Sequence, residues 1–375
     1  MFKPKNNDPI MSQRFKPLAV KEVVHETSEA FSIYFQDPGT DEFKYQPGQY
    51  LILQAEVEGK PLRRAFSLST SPYLDDDLAV TIKCIEEGQV SNYLHQNLKA
   101  GDTLQVMPPQ GKFTVNPDPN RQHHYILMGG GSGITPLISI LRSVLYKEPE
   151  SYVSLFYANR DEESTIFKKA LEELEQKYGD RFQIIHSLDN PPAGWTGYSG
   201  KPNEESLKEI LQSFHDRTNL QTDYYLCGPP PMMELAKSVL GTFGVQKEAI
   251  HQENFTASLP ETQVESEKAR VEEEEEEESG NERPEKATVT IILDDEEHVI
   301  EVTPNETILE AAIDEGVDPP FACQEGICTT CQARLHQGRV HMDEDEGLTD
   351  DEMEEGYILT CQSHPLTKEV KVEYE

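Results

Sequence analysis

The 375-residue chain is too long for one ordinary hydrophobic core, and its composition predicts two or three soluble domains. Its 69 acidic and 33 basic residues give a formal charge of −36, which argues against nucleic acid and anionic membranes as partners. The same charge favours a protein partner with a basic patch, whose association would slow as salt rises. Six cysteines are too few for a secreted disulfide scaffold, and no signal-peptide pattern is visible, so we expect a cytoplasmic location.

The first predicted unit covers residues 12–118 and contains short β-type runs, such as AFSIYF and LAVTIKCI, that are separated by turn residues. This pattern predicts a small antiparallel β-barrel. The second predicted unit, residues 119–256, has a different pattern, because apolar strands such as YILMGG and YVSLFYAN alternate with helical segments such as TPLISILRSVL. That alternation predicts an α/β domain with a parallel sheet and helices on both faces.

An acidic stretch, residues 257–286, separates these two units from the C-terminal part and includes seven consecutive glutamates at residues 272–278. It has almost no apolar residues, so it predicts a solvated, flexible linker with a root-mean-square span of about 30 Å. The third predicted unit, residues 287–375, carries 23 acidic against 4 basic residues. It begins with a predicted strand pair around DDEE, and a short predicted helix ends at Gly316.

Four cysteines of the third unit have the spacing C-x4-C-x2-C-x29-C. Four thiolates can hold a [2Fe–2S] cluster or a zinc ion, and cysteines can also simply fill a small core. Zinc sites usually combine two C-x2-C pairs, whereas here three cysteines share one loop and the fourth stands alone. This is the plant-type ferredoxin spacing, so it predicts a [2Fe–2S] cluster. The expected ligands are Cys323, Cys328, Cys331 and Cys361.

Residues 287–375 as a whole resemble plant-type ferredoxins. The resemblance implies a β-grasp fold, with the cluster loop near the surface so that electrons can leave. The small residues around the loop cysteines, Gly326, Thr329 and Thr330, would leave backbone amides free to approach the sulfides.

A glycine-rich turn, GGGSGITP at residues 129–136, follows the apolar strand YILM and opens a predicted helix. Gly131 and Gly133 would let the backbone approach a pyrophosphate, and the helix N-terminus favours its negative charge. Such a turn is weak evidence when it stands alone, since the pattern here is G-x-G-x-x-P rather than G-x-G-x-x-G. A plain tight turn is the alternative interpretation.

Three further motifs lie at the ends of suitable predicted elements. RAFS, residues 64–67, lies on a predicted barrel strand, and EGQVSNYL, residues 87–94, includes a predicted helix start that could bind an anion. CGPPPMM, residues 227–233, follows the fourth predicted parallel strand. Taken singly, Arg64 fits a surface arginine and Cys227 a small buried residue. The occurrence of all four motifs in order favours a shared function.

Through these motifs residues 12–256 resemble the ferredoxin–NADP reductase family, in which a flavin barrel precedes a nicotinamide domain. With the ferredoxin-like unit at the C-terminus, the chain resembles the reductase components of multicomponent oxygenases, and the phenylacetyl-CoA epoxidase type is the nearest. The resemblance implies an NAD(P)H-dependent oxidoreductase that holds FAD and a [2Fe–2S] cluster. It also implies that electrons pass to an oxygenase with a di-iron or Rieske site.

The resemblance further implies roles for individual residues. Arg64 would pair with the FAD pyrophosphate, Ser67 would lie near the flavin N5 atom that accepts the hydride, and Cys227 would lie beside the nicotinamide ring. Glu253 and Phe255 would border the flavin, with a plain strand end as the alternative. The expected catalytic residues are Ser67, Cys227 and Glu253. The expected cofactor-binding residues are Arg64, Ala65, Phe66, Ser67, Gly88, Gln89, Val90, Ser91, Gly130, Gly131, Gly133, Thr135, Pro136, Arg160, Cys227, Gly228, Pro229 and Phe255.

Two positions depart from the family pattern. Phe66 stands where the family usually has a tyrosine, so the ring face is kept and a hydroxyl is lost. Gln89 stands where a second glycine is common, which bears on how closely that amide approaches a phosphate.

The preference between NADPH and NADH depends on FYANRDEES, which follows the second predicted parallel strand, where the adenosine ribose is bound. Arg160 could bind a 2′-phosphate, whereas Asp161 could accept a hydrogen bond from a 2′-hydroxyl. We expect NADPH and keep NADH open. A surface salt bridge is the alternative role of Arg160.

Electron stoichiometry gives the expected order of transfer. A nicotinamide gives up two electrons together as a hydride, a [2Fe–2S] cluster takes one at a time, and a flavin can do both. The linker suggests a ferredoxin-like unit that docks on the flavin and then swings outward. Two alternatives remain open, namely a reductase for another metalloprotein or a desaturase, and a redox-sensing binding module of a different class.

Overall fold

The computed structural model of the chain describes residues 14–255, 284–345 and 347–374. Most of the predicted linker, including its run of glutamates, lies outside the described residues, as do residues 12 and 13 of the first predicted unit. The described strands form two six-stranded sheets, one five-stranded sheet and a two-stranded ribbon. None of the described helices is long and apolar enough to cross a membrane.

The first unit is an antiparallel six-stranded sheet in the order β4-β3-β6-β1-β2-β5. Side chains that alternate along its strands, such as Leu51 and Leu53, fill one buried core. An isolated bridge joins Leu68, just beyond β4, to Val80 of β5 and so brings the two edge strands together. The elements are β1 (Lys16–His25), β2 (Ala30–Phe35), β3 (Tyr50–Val57), β4 (Lys60–Ser67), β5 (Leu78–Lys83), α1 (Gln89–Asn97) and β6 (Thr103–Gln110).

The second unit is a wholly parallel sheet in the order β10-β9-β8-β7-β11-β12. Alternate residues of β7 enter separate cores, since Leu127 packs with α2 whereas Met128 packs with α4 and α5. The predicted parallel sheet with helices on both faces is therefore confirmed. The elements are β7 (His124–Gly130), α2 (Ile134–Lys147), β8 (Tyr152–Asn159), α3 (Lys168–Tyr178), β9 (Phe182–Leu188), β10 (Tyr198–Ser199), α4 (Glu204–His215), β11 (Thr222–Gly228), α5 (Pro230–Thr242) and β12 (Ile250–Asn254).

The third unit has a mixed five-stranded sheet in the order β14-β13-β19-β15-β17, in which β13 and β19 are parallel. The predicted strand pair around DDEE is present, and its turn residues Asp294 and Asp295 both have positive φ. The predicted helix begins at a capping box formed by Thr307 and Glu310. The elements are β13 (Ala287–Leu293), β14 (Glu296–Val302), α6 (Ile308–Asp314), β15 (Gln332–Gln337), β16 (Val340–Met342), α7 (Asp350–Glu354), β17 (Tyr357–Leu359), β18 (Ser363–Pro365) and β19 (Glu369–Glu373).

The third unit packs against the first through a small mixed interface. The guanidinium of Arg63 lies between two rings, 4.6 Å from the centroid of Phe15 and 4.0 Å from that of Phe321. Ion pairs join Arg14 to Asp294 and Arg64 to Glu325 at the rim. The apolar centre is one cluster of Phe15, Tyr50, Ile52, Met107 and Ala322.

The fully buried carboxylate of Glu148, just after α2, stabilises the second unit. It accepts hydrogen bonds from Tyr125 Oη at 3.1 Å, Ser151 Oγ at 2.6 Å and the Asp118 amide at 3.0 Å. Because an amide cannot accept all of these bonds, we expect Glu148→Gln to lower the free energy of unfolding by about 2 to 3 kcal/mol. Urea unfolding followed by fluorescence of Trp195, the single tryptophan of the chain, measures this unit.

Glu150→Gln is the matched control, because Glu150 is exposed two residues away. Equal urea midpoints for the two variants would contradict the role assigned to Glu148.

Candidate functional site

A large open cavity of about 1800 Å³ lies where the three units meet. The end of β4 and the start of α1 form one wall, the end of β12 a second, and the cysteine loop of the third unit closes the opposite side. The predicted site residues that line it are Arg64, Ala65, Phe66, Ser67, Gly88, Gln89, Val90, Ser91, Thr135, Glu253, Phe255, Cys323 and Cys328.

Two of the three expected catalytic residues, Ser67 and Glu253, line this cavity, and the third, Cys227, lies behind its wall. Ser67 Oγ lies 3.4 Å from Glu253 Oε2, although the two residues belong to different units. Glu253 is also the direct partner of Cys227 in the parallel pair of β11 and β12. Cys227 is fully buried behind the cavity wall and does not line it.

Burial changes the protonation of this group. It raises the pKa of Glu253 to about 8, and the hydrogen bond from Ser67 only partly opposes that rise. Burial, followed by the nearby Glu253 carboxylate, raises the pKa of the Cys227 thiol well above its usual value. Both side chains are therefore mostly protonated at pH 7.

The start of α1 offers the features of an anion site. The first amides of a helix have no intrahelical partner, and here no side chain at the N-cap accepts from them. Among the described residues, the buried hydroxyl of Ser91 also has no hydrogen-bond partner. A Cβ at Gly88 would lie 2.5 Å from Ser91 Oγ and 2.6 Å from Cγ1 of Ile85, so a side chain there would crowd this turn. These donors fit a phosphate group of FAD.

The two glycine turns of the second unit pack backbone against backbone. A Cβ at Gly133 would lie 1.9 Å from the carbonyl oxygen of Cys227, and one at Gly130 would lie 2.6 Å from Cδ of Pro229. A Cβ at Gly228 would lie 2.9 Å from the amide nitrogen of Gly130. The turns after β7 and β11 are therefore in direct contact, and Gly130, Gly133 and Gly228 are buried rather than part of the cavity lining. Their role in binding a dinucleotide stays a prediction.

The remaining predicted residues of this turn start α2. Thr135 is buried, donates its hydroxyl to the Ser132 carbonyl at 3.0 Å, and lines the cavity, whereas Pro136 is buried in the first turn of the helix. The Gly131 carbonyl accepts a hydrogen bond from Tyr157 at 3.0 Å.

Arg160, directly after β8, is already paired with two carboxylates. Its Nη2 lies 3.0 Å from Glu29 Oε1 of the first unit, and its Nε lies 2.9 Å from Asp161 Oδ2. A 2′-phosphate would have to compete with both carboxylates for this half-exposed guanidinium. The structure thus agrees with the alternative expectation of a surface salt bridge and leaves the coenzyme preference a prediction.

The four predicted cluster ligands form two pairs of thiols. The sulfur atoms of Cys323 and Cys328 lie 3.1 Å apart, and the thiols of Cys331 and Cys361 share a hydrogen bond. No three described His, Cys, Asp or Glu side chains converge as ligands of a single metal ion. Two thiol pairs fit a [2Fe–2S] cluster, in which each iron takes two cysteine ligands.

One backbone amide and one side-chain amide lie close to the cysteine sulfurs. The amide of Glu325 donates to Cys323 Sγ at 3.4 Å, and Gln362 Nε2 lies 3.7 Å from Cys361 Sγ. Gly326 has φ of +73°, and a Cβ there would lie 2.6 Å from Cβ of Glu344. The expected role of Gly326, to leave backbone amides free to approach the sulfides, stays a prediction, and the Glu325 amide is one donor that favours negative charge on a sulfur.

Several cavity residues were not singled out from the sequence. They include Tyr50, Lys83 and Lys112 of the first unit and Gln252 of β12. Tyr50 occurs in the run GQYLILQAEV, where an aromatic residue is expected to fill the core. Its hydroxyl lies 3.3 Å from Thr330 Oγ1, and no local pattern signals a contact between residues 280 positions apart.

Three family models match the chain in the order of its units. They describe an oxidoreductase FAD-binding domain over residues 16–115, an oxidoreductase NAD-binding domain over residues 127–238, and a 2Fe-2S iron–sulfur cluster binding domain over residues 291–366. A component of 1,2-phenylacetyl-CoA epoxidase from Escherichia coli is 34% identical over 364 residues, which cover 96% of this chain and 98% of that protein. The chain belongs to the family of oxygenase reductase components.

Further relatives agree with this assignment. The ferredoxin reductase component of 3-ketosteroid-9-alpha-monooxygenase from Rhodococcus rhodochrous is 34% identical over 360 residues, covering 95% of this chain and 96% of that protein. The structure of phthalate dioxygenase reductase superimposes on this chain with a TM-score of 0.57 at 23% identity. The match covers 96% of this chain and 98% of that protein, which supports the three-unit fold. The reductase accordingly uses FAD, a nicotinamide dinucleotide and a [2Fe–2S] cluster.

Loss of one cluster ligand should separate the two redox sites of this reductase. We expect Cys361→Ser to abolish the visible absorption of the cluster while FAD stays bound, because all predicted FAD residues lie in other units. Cys84→Ser is the control, since Cys84 lies in the first unit and should leave both cofactors in place. Absorption spectra with iron and flavin analysis measure both, and full iron content in Cys361→Ser would refute the ligand assignment.

Protonation of Glu253 should control the rate at which the reductase accepts electrons. The acid is neutral below its raised pKa of about 8 and charged above it, so negative charge beside the site appears only at alkaline pH. We expect the rate of flavin reduction, measured by stopped flow from pH 6 to 10, to fall above about pH 8. Glu253→Gln should remove this fall, whereas the exposed control Glu248→Gln should retain it. An unchanged profile in Glu253→Gln would contradict the assignment.

Proposed function

We propose that this reductase takes a hydride from NAD(P)H at the cavity and delivers single electrons through the cysteine loop to an oxygenase component. The observation that carries the proposal is that Ser67, Glu253 and Cys328 line one cavity although they come from three different units. Bound FAD would accept two electrons together and pass them singly to the [2Fe–2S] cluster. The chain itself supplies the anion sites, the neutral acid beside the flavin position and the thiol pairs.

The acceptor is an oxygenase of the phenylacetyl-CoA epoxidase type or another di-iron or Rieske oxygenase. Two relatives of equal identity, 34% each, belong to a phenylacetyl-CoA epoxidase and a ketosteroid monooxygenase. The names of these oxygenases indicate very different substrates, so the sequence of a reductase component says little about the organic substrate of its oxygenase. The alternatives within reductases are a desaturase or another metalloprotein acceptor, and a redox-sensing module is the alternative of another class.

The acceptor should dock through a basic face. The third unit carries 23 acidic and 4 basic residues, so its own field attracts positive charge.

The proposal also includes the fold of the first and third units. The Leu68–Val80 bridge supports a closed β-barrel for the first unit, and the mixed sheet beside α6 supports a β-grasp for the third. We also propose a cytoplasmic location for this reductase.

Anaerobic titration tests this function directly. NADH or NADPH should bleach the flavin bands and the broad iron–sulfur absorption in turn, and an artificial one-electron acceptor should then support many turnovers. Nucleotide binding without turnover would favour the redox-sensing alternative instead.

Movement of the third unit is the second part of the proposal. Shortening residues 257–286 should slow electron delivery to a protein acceptor and leave the rate of flavin reduction intact. Equal delivery rates in the shortened and full chains would exclude this movement.

Release of Arg160 from Glu29 should shift the coenzyme preference. We expect Glu29→Gln to raise kcat/KM for NADPH relative to NADH by about twofold to fivefold, because an exposed ion pair contributes at most about 1 kcal/mol. The exposed Glu22→Gln in the same unit is the control. Steady-state kinetics with both coenzymes measure the ratio, and equal ratios in the two variants would show that the Glu29 pair plays no part.

A further inference from the structure

A tyrosine of the first unit contacts the cysteine loop of the third unit. Tyr50 Oη lies 3.3 Å from Thr330 Oγ1, and Thr330 Oγ1 lies 3.5 Å from Cys328 Sγ. Tyr50 and Thr330 are both buried. A chain of two hydroxyl groups therefore leads from strand β3 to a predicted cluster ligand.

The protons of this chain can point in only one direction when Cys328 is a ligand. A thiolate sulfur only accepts hydrogen bonds, so the Thr330 hydroxyl must donate to it. The oxygen of Thr330 then accepts from the Tyr50 hydroxyl. Both donors consequently favour negative charge on Cys328 Sγ, as hydrogen bonds to cluster sulfurs do in general.

The surroundings hold the Tyr50 ring in place. Gly111 has φ of +103°, and a Cβ there would lie 2.9 Å from Cε1 of the ring. Phe15 and Ala322 pack around the ring in the same apolar cluster. Tyr50 also pairs with Ser67 across the ladder of β3 and β4, so it lies beside a residue that is expected to border the flavin.

We propose that Tyr50 is a positioning residue that raises the reduction potential of the cluster while the third unit is docked. This inference rests on the proposed function and adds a specific control to it. With both cofactors bound, one electron would pass from the reduced flavin to the oxidised cluster, and the hydroxyl groups of Tyr50 and Thr330 would keep their protons. Because the two ends of the bond belong to different units, the bond exists only while these units are in contact. The cluster therefore accepts an electron more readily while the third unit contacts the first unit. When the third unit separates, the reduction potential of its cluster falls and it becomes a stronger reductant.

The test is the midpoint potential of the cluster in the complete holoprotein, measured by anaerobic redox titration with electron paramagnetic resonance. We expect Tyr50→Phe to lower it by an amount equal to a threefold to tenfold change in the equilibrium constant between flavin and cluster. A tenfold change corresponds to about 59 mV for a one-electron couple. Tyr45→Phe is the matched control, since its hydroxyl bonds Thr70 at 2.8 Å in the same unit and should leave the midpoint unchanged.

A double-mutant cycle identifies the bond itself. Thr330→Val should lower the midpoint, Tyr50→Phe should add nothing in that background, and Thr330→Ser should restore the effect of Tyr50. Equal midpoints for Tyr50→Phe and Tyr45→Phe, or additive shifts in the cycle, would overturn the inference. If NAD(P)H still reduces the cluster in those cases, the proposed function stands and only the role of Tyr50 is wrong.

Discussion

The contact between the cysteine loop and the first unit sets the geometry on which electron transfer depends. Its centre is a small apolar cluster around Tyr50 and Ile52, and its rim includes ion pairs such as Arg64–Glu325 at 3.5 Å. An apolar centre with a charged rim is typical of interfaces that form and separate. The same contact closes the cavity, so docking and assembly of the electron-transfer site are one event.

Charge is distributed so that this contact is favoured. The third unit is strongly acidic, and it meets Arg14, Arg63 and Arg64 on the first unit. Exposed ion pairs contribute little individually and weaken as salt rises. Arg63 stacks on aromatic rings, and salt screens these contacts less than it screens exposed ion pairs. This part of the attraction between the first and third units therefore persists at physiological ionic strength.

Local patterns predicted the parts of this molecule that depend on neighbours in sequence. The parallel sheet, the strand pair around DDEE, the glycine turns and the cysteine spacing all follow from short segments, and the structure brings their residues together. Contacts across units were not predictable in this way. The Arg160 guanidinium meets Glu29 from 131 positions away, and Tyr50 meets Thr330 from 280 positions away. Contacts of this kind depend on how the folded units pack against each other, and the local periodicity of a sequence carries no information about that packing.

Arg64 shows how one side chain can serve two partners of this reductase. The resemblance assigns it to the FAD pyrophosphate, and the structure places its Nη2 3.5 Å from Glu325 Oε1 of the cysteine loop. A 3.5 Å pair with both side chains partly exposed is weak, so a pyrophosphate with two charges would displace the carboxylate. The guanidinium would then bind the cofactor on one side and still attract the acidic loop on the other. If Arg64 binds the pyrophosphate as predicted, binding of FAD and docking of the third unit would be coupled through this single positive charge.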